Sequence, residues 1–136
     1  MRMYLWNGHT PMRDGDLDNG IIIHEYAHGI SIRLVGGPGN SNCMSGGQAG
    51  GMGEGIGDCF SLFFRWRPEE YDRDTIFEMA DYSAGNGIRL FPYAYNMTIN
   101  TQTYSVINGG QYSGVHAKGC VWCTIIYVYF FFIFFL

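Results

Sequence analysis

The stretch "IIIHEYAHGI", residues 21 to 30, places His24 and His28 four positions apart, with Glu25 directly after the first. On an α-helix, residues at i and i+4 lie on one face, a turn apart. Both imidazoles can then address one zinc ion, and Glu25 can reach a water on it. This is the H-E-x-x-H arrangement, in which the histidines are ligands and the glutamate is the general base. The bland alternative is a helix that happens to hold two histidines, because a pattern with three fixed positions is short. The surrounding sequence decides between the two.

Asp18 or Asn19 is a helix N-cap candidate, so a helix is expected from about Gly20 to Leu34. "GGPGN" (36–40) then stops it with Gly and Pro. "SGGQAGG" (45–51) reads as a glycine-rich link into a second helix, "MGEGIGDCFSLFFRWR" (52–67). A catalytic zinc needs a third protein ligand and an open position for water. Within "GEGIGD", Glu54 and Asp58 stand at i and i+4, so Glu54 is placed to be that ligand. Asp58, one turn on, can accept the other ring N–H of a zinc-bound histidine and fix its tautomer. Two solvated acids on a surface helix are the alternative, but "GGMGEG" and "CFSLFF" are small and apolar flanks.

"DGDLDNG" (14–20) imitates the opening of an EF-hand loop, with acids at 14, 16 and 18. Its sixth position is Asn19 rather than Gly, and its closing Glu falls on Glu25, which the zinc motif already uses. A turn whose acids favour the helix N-terminus is the simpler reading.

At 136 residues the chain is the size of one domain. A formal charge of −4 and eight scattered Lys and Arg argue against a nucleic-acid partner. Cys120 and Cys123 form a lone C-x-x-C, read here as small buried residues, and a Cys43–Cys59 disulfide is left open. "RMYLW" (2–6) suits a strand, 7–20 a loop, and "DTIFEMADY" (74–82) a short helical piece. Residues 83–115 read as loops and short extended pieces, with a glycosylation sequon at Asn96-Met97-Thr98 that matters in a secreted chain. No charged residue occurs from Gly119 to Leu136, which just reaches the length of a membrane span. The expectation is a buried helix or strand, with a membrane anchor as the lesser reading. The N-terminus shows no signal-peptide pattern.

"DGDLDNGIIIHEYAHGIS", then "GGP", "GGMGEGIGD", "INTQTY" and "GVHAKGCVW", together resemble the fungalysins, secreted fungal zinc endopeptidases related to thermolysin. The likeness runs in order from about Met3 to Trp122. It implies His24, His28 and Glu54 as zinc ligands, Glu25 as catalytic base, and Asp58 as the acid supporting a ligand histidine. By the same likeness His116 stabilises the tetrahedral intermediate. Where the family pattern reads G-E-G-W-S-D, Ile56 and Gly57 stand here, which is expected to weaken packing around the site.

The resemblance implies an α+β fold: a mainly helical fragment of a thermolysin-like zincin core, lacking most of the β-rich half that precedes the zinc helix. Residues 1–119 are expected to be a partial catalytic domain, and 120–136 an apolar, truncated or aberrant continuation of it. Substrates would be proteins or peptides. A full-length form would carry a signal peptide and an inhibitory propeptide, and would be secreted as a zymogen. The alternatives are a truncated remnant that at most binds zinc, and a membrane-anchored accessory protein.

Overall fold

The computed structural model describes residues 3–134. Its elements are β1 (Leu5–Trp6), β2 (Arg13–Asp14), α1 (Asn19–Gly36), α2 (Gly47–Arg65), α3 (Asp81–Ala84) and α4 (Val115–Phe134). The molecule is mainly helical, as expected, and β1 and β2 form a two-stranded antiparallel ribbon. Leu5 pairs with Asp14 and Trp6 with Arg13, so the expected strand is shorter than 2–6; Arg2 lies outside the described residues.

Asp18 is the cap of α1. Its Oδ1 accepts from Gly20 N at 2.9 Å and Ile21 N at 3.3 Å, satisfying two donors that the first turn leaves open. Its Oδ2 accepts from Ser83 N at 3.1 Å, which ties α3 to the start of α1. Asp14 likewise accepts from Asp16 N. These two acids of the EF-hand imitation therefore serve the backbone, as the simpler reading held. At the other end, Gly37 takes a φ of 64° and stops α1.

α2 begins at Gly47, five residues before the expected Met52. The supposed link is helical because it is covered by α4. A Cβ at Gly50 would come within 2.8 Å of Val115 Cγ1, and one at Gly51 within 2.5 Å of Lys118 Cβ. Glycine weakens a helix by about 1 kcal/mol against alanine, but here it allows α4 to lie on the helix backbone.

The helical piece expected at 74–82 is overturned except at its end. Phe77 bridges Tyr93 through paired backbone hydrogen bonds of 2.9 and 2.8 Å, and only Asp81–Ala84 is helical. Ile76 is exposed, Phe77 buried, Glu78 half-buried and Met79 buried, a period of two that belongs to an extended chain. From 85 to 114 the chain is irregular apart from two short 3₁₀ turns, as expected.

α4 is a continuous helix through Gly119 and Cys120. One face, including Cys120, Cys123, Tyr127 and Phe131, enters the core with Cys59 and Leu62 of α2 and with Phe77, Met79 and Tyr93. The opposite face leaves Ile125, Ile126, Tyr129, Phe132 and Ile133 exposed. The helix is long and apolar enough to cross a membrane by length and composition, and 39 % of that span is buried within the protein. Phe135 and Leu136 lie outside the described residues.

Candidate metal centre

α1 and α2 pack side by side so that His24 and His28 face Glu54. His24 Nε2 lies 3.2 Å from Glu54 Oε2, and His28 Nε2 lies 3.5 Å from Glu54 Oε1. The two rings stand edge to face at 4.6 Å. One ligand atom from each of the three residues falls within 4.8 Å of the others. Among the described residues this is the one such cluster of His, Cys, Asp and Glu.

Gly57 is what lets His24 in. A Cβ at that position would meet His24 Nδ1 at 2.6 Å, so the imidazole occupies the space a side chain would take. The bare helix backbone lies against the ring.

Behind the donors stands a buried charge network. His24 Nδ1 lies 2.7 Å from Asp58 Oδ1, which leaves Nε2 turned toward Glu54. Arg89 donates to Asp58 through Nε and a terminal nitrogen, both at 2.7 Å, and the Tyr93 hydroxyl donates to Oδ2. Asp58 is fully buried, and Arg89 also lies 3.8 Å from Glu54 Oε2. Burial would raise the Asp58 pKa, but His24 and Arg89 outweigh it and hold the carboxyl below its usual range. Burial opposes the charge on Glu54 too, and the contacts with His24 and His28 override it. For His24, burial alone would lower the pKa, yet Asp58 and Glu54 raise it to about 9. Burial also pushes the Tyr93 hydroxyl up, and the Asp58 charge adds to that, so it stays a donor.

His116, exposed at the start of α4, brings its Nε2 to 3.4 Å from Glu54 Oε2. With Ile88, Arg89, Leu90 and Ala117 it lines an open cavity of about 240 Å³. Glu25 is half-buried and lines a larger open cavity of about 630 Å³ with Tyr26, Gly29, Ile30, Arg33 and Leu34. The structure thus gathers His24, His28, Glu54, Asp58 and His116 into one contact network, with Glu25 on the flank of the same helix. Sequence reasoning missed Arg89 and Tyr93. A signal was present: Arg89 is the one charged residue between Asp81 and Lys118, set among Ile, Leu and Phe. A lone charge in an apolar run asks for a buried partner.

The residues present fit a zinc ion. Glu54 Oε2 is buried without an aligned hydrogen-bond donor, although His24 Nε2 is near. Bonds of roughly 2.0–2.1 Å to a tetrahedral zinc separate its ligand atoms by roughly 3.3 Å. His24 Nε2 and Glu54 Oε2 at 3.2 Å match that spacing, His28 Nε2 lies 3.5 Å from the other oxygen of Glu54, and one atom from each residue falls within 4.8 Å of the others.

Two imidazoles one turn apart on one helix, joined by a carboxylate from the next, are the donor set of a metallopeptidase centre. The chain belongs to the fungalysin metallopeptidase family (M36), whose family model it matches over residues 1–133. Relatives include Extracellular metalloproteinase 2 of Trichophyton tonsurans, 50 % identical over 129 residues, which are 93 % of this chain and 20 % of the relative. Extracellular metalloproteinase MEP of Neosartorya fischeri is 46 % identical with the same coverage. Extracellular metalloproteinase 2 of Arthroderma otae is 48 % identical, again with the same coverage. The chain therefore spans about a fifth of the length of the curated relatives it matches.

Proposed function

We propose that this chain carries the zinc-binding core of a secreted, thermolysin-like endopeptidase that hydrolyses peptide bonds in proteins. The observation that carries the reading is the convergence of His24, His28 and Glu54 at ligand spacing. The family description and the relatives' names support the peptidase class and the extracellular location.

His24, His28 and Glu54 would hold the metal. When bound, zinc supplies Lewis acidity that lowers the pKa of water and polarises a carbonyl. Asp58 keeps the His24 proton on Nδ1, so Nε2 is free to ligate. Glu25 takes the proton of the attacking water and passes it to the leaving amine. His116 donates to the oxyanion of the tetrahedral intermediate from the open side of Glu54. An inhibitory propeptide would belong to the full-length form.

A second reading is zinc binding without catalysis. It is favoured by the bare apolar flank of α1 beside Glu25, where Tyr26 and Leu34 are 68 % and 79 % exposed. The test is to load the purified chain with zinc, measure metal content, and assay casein hydrolysis with and without a chelator. The proposal expects one zinc per chain and hydrolysis that the chelator abolishes. Glu25→Gln keeps the zinc and loses hydrolysis; retained proteolysis in that variant sinks the assigned role. One zinc with no hydrolysis by the parent chain establishes the second reading.

A further inference from the structure

The seam between α2 and α4 holds a second group of reactive side chains. Cys59 on α2 is 5 % exposed and Cys123 on α4 is 0 % exposed, and their sulfur atoms lie 2.9 Å apart. Both are free thiols in the structure. The other two cysteines lie elsewhere. Cys120 donates to Gln102 Oε1 at 2.9 Å, on the side of α4 that faces the 91–102 loop. Cys43 is exposed and sits at the end of α1, where a Cβ on Gly36 would come within 3.1 Å of its sulfur.

We propose that Cys59 and Cys123 form a disulfide that staples the helix carrying Glu54 and Asp58 to the helix carrying His116. The open alternative of a Cys43–Cys59 pair is replaced by this one, because Cys59 faces α4. The two thiols give up two electrons and two protons as the Sγ–Sγ bond forms. A disulfide oxidant of the glutathione class accepts them, its own S–S bond opening to two thiols. The attacking species is a thiolate, and burial pushes the Cys123 thiol well above its ordinary range. The bond therefore forms while α2 and α4 are still closing on each other, and exchange is slow afterwards. The partners are 64 positions apart, so the link closes a long loop and strongly restricts the unfolded chain. Cys59 directly follows Asp58, so the staple fixes the turn of α2 that supports His24.

The test uses the whole chain and needs neither metal nor activity. The chain is refolded in a mixture of reduced and oxidised glutathione, quenched in acid, alkylated in denaturant, and digested without reduction. Before alkylation, the intact mass of the acid-quenched chain is expected to be about 2 Da below that of the reduced chain, one disulfide having formed. Peptide mapping should give one linked pair, Cys59 with Cys123, and alkylated Cys43 and Cys120. Reducing the bond should raise the unfolding equilibrium constant by on the order of 30- to 1000-fold, read as a lower urea midpoint. Cys43→Ser should keep the same link. Four alkylated cysteines at equilibrium with the glutathione mixture overturn the proposal, as does a Cys120–Cys123 link, a link to Cys43, or loss of the link in Cys43→Ser.

Discussion

Arg89 grips Asp58 with two hydrogen bonds of 2.7 Å, one of them to Oδ1, the oxygen that also faces His24 Nδ1. This pairing decides what His24 can do. A fully buried carboxylate must be compensated, and if His24 were its sole partner the imidazole would have to stay charged. With Arg89 carrying the compensation, His24 can give up its proton and present a neutral Nε2 to a metal. Removing Arg89 should therefore cost about 3–5 kcal/mol, because it breaks a buried pair and leaves Asp58 to the His24 imidazole and the Tyr93 hydroxyl alone. Arg89→Met tests this by urea denaturation of the metal-free chain. Arg89→Lys should recover little, since an ammonium cannot reproduce the two-pronged contact. A lysine variant as stable as the parent would show that charge alone, not the fork, holds Asp58.

In the proposed zinc centre Asp58 would act on the metal through His24, so its replacement should weaken binding without abolishing it. Asp58→Asn keeps all three donors in place but removes the charge that orients the Nδ1 proton. Zinc affinity should fall roughly 10- to 100-fold, measured by competition with a chromophoric chelator. Glu54→Ala, which removes a donor, should fall much further. Equal losses in the two variants would argue that Asp58 is itself a ligand.

The donor helix was legible in the sequence because its signals are local. Asp18, the four-residue histidine spacing and Gly37 all act within a few turns, and α1 follows them closely. The start of α2 was not legible, since Gly50 and Gly51 are poor helix formers taken up only because α4 covers them. Residues 74–82 failed for the opposite reason. Their apolar positions are too few to separate period two from 3.6, and the backbone pairing of Phe77 with Tyr93 settled the matter across 16 positions of sequence. At the site, the motif residues were readable by spacing. Arg89 was not, because its partner is 31 positions away and no local pattern joins them.

The approach of α4 to α2 depends on Gly119. A Cβ there would come within 2.9 Å of Gly55 N, a backbone atom with nowhere to go, and would overlap the Cβ of Glu54. Gly119→Val should push the two helices apart at the level of a metal donor. The expected cost is about 1–3 kcal/mol, as for other overpacked cores. The zinc affinity of the folded fraction should drop with it, because Glu54 moves. Denaturation and chelator competition on the same preparation check both, and a variant with parental values in each would mean that the seam is looser than the structure has it.

The metal-free chain should also show a stability maximum on the acid side of neutral. His24 is raised from 6.5 to about 9 in the folded protein, so its contribution is fully present below about pH 6.5 and fades as pH rises through 9. Asp58 and Glu54 are lowered, so theirs is present above about pH 4.5, the upper end of ordinary carboxylate values, and fades as pH falls below it. Urea midpoints in the presence of a chelator should therefore peak between roughly pH 5 and 6.5 and decline toward pH 9. Zinc should remove the alkaline decline, because a ligating His24 is already neutral on Nε2. A chelated chain whose midpoint stays level from pH 6 to 10 would show that His24 does not sit charged between Asp58 and Glu54.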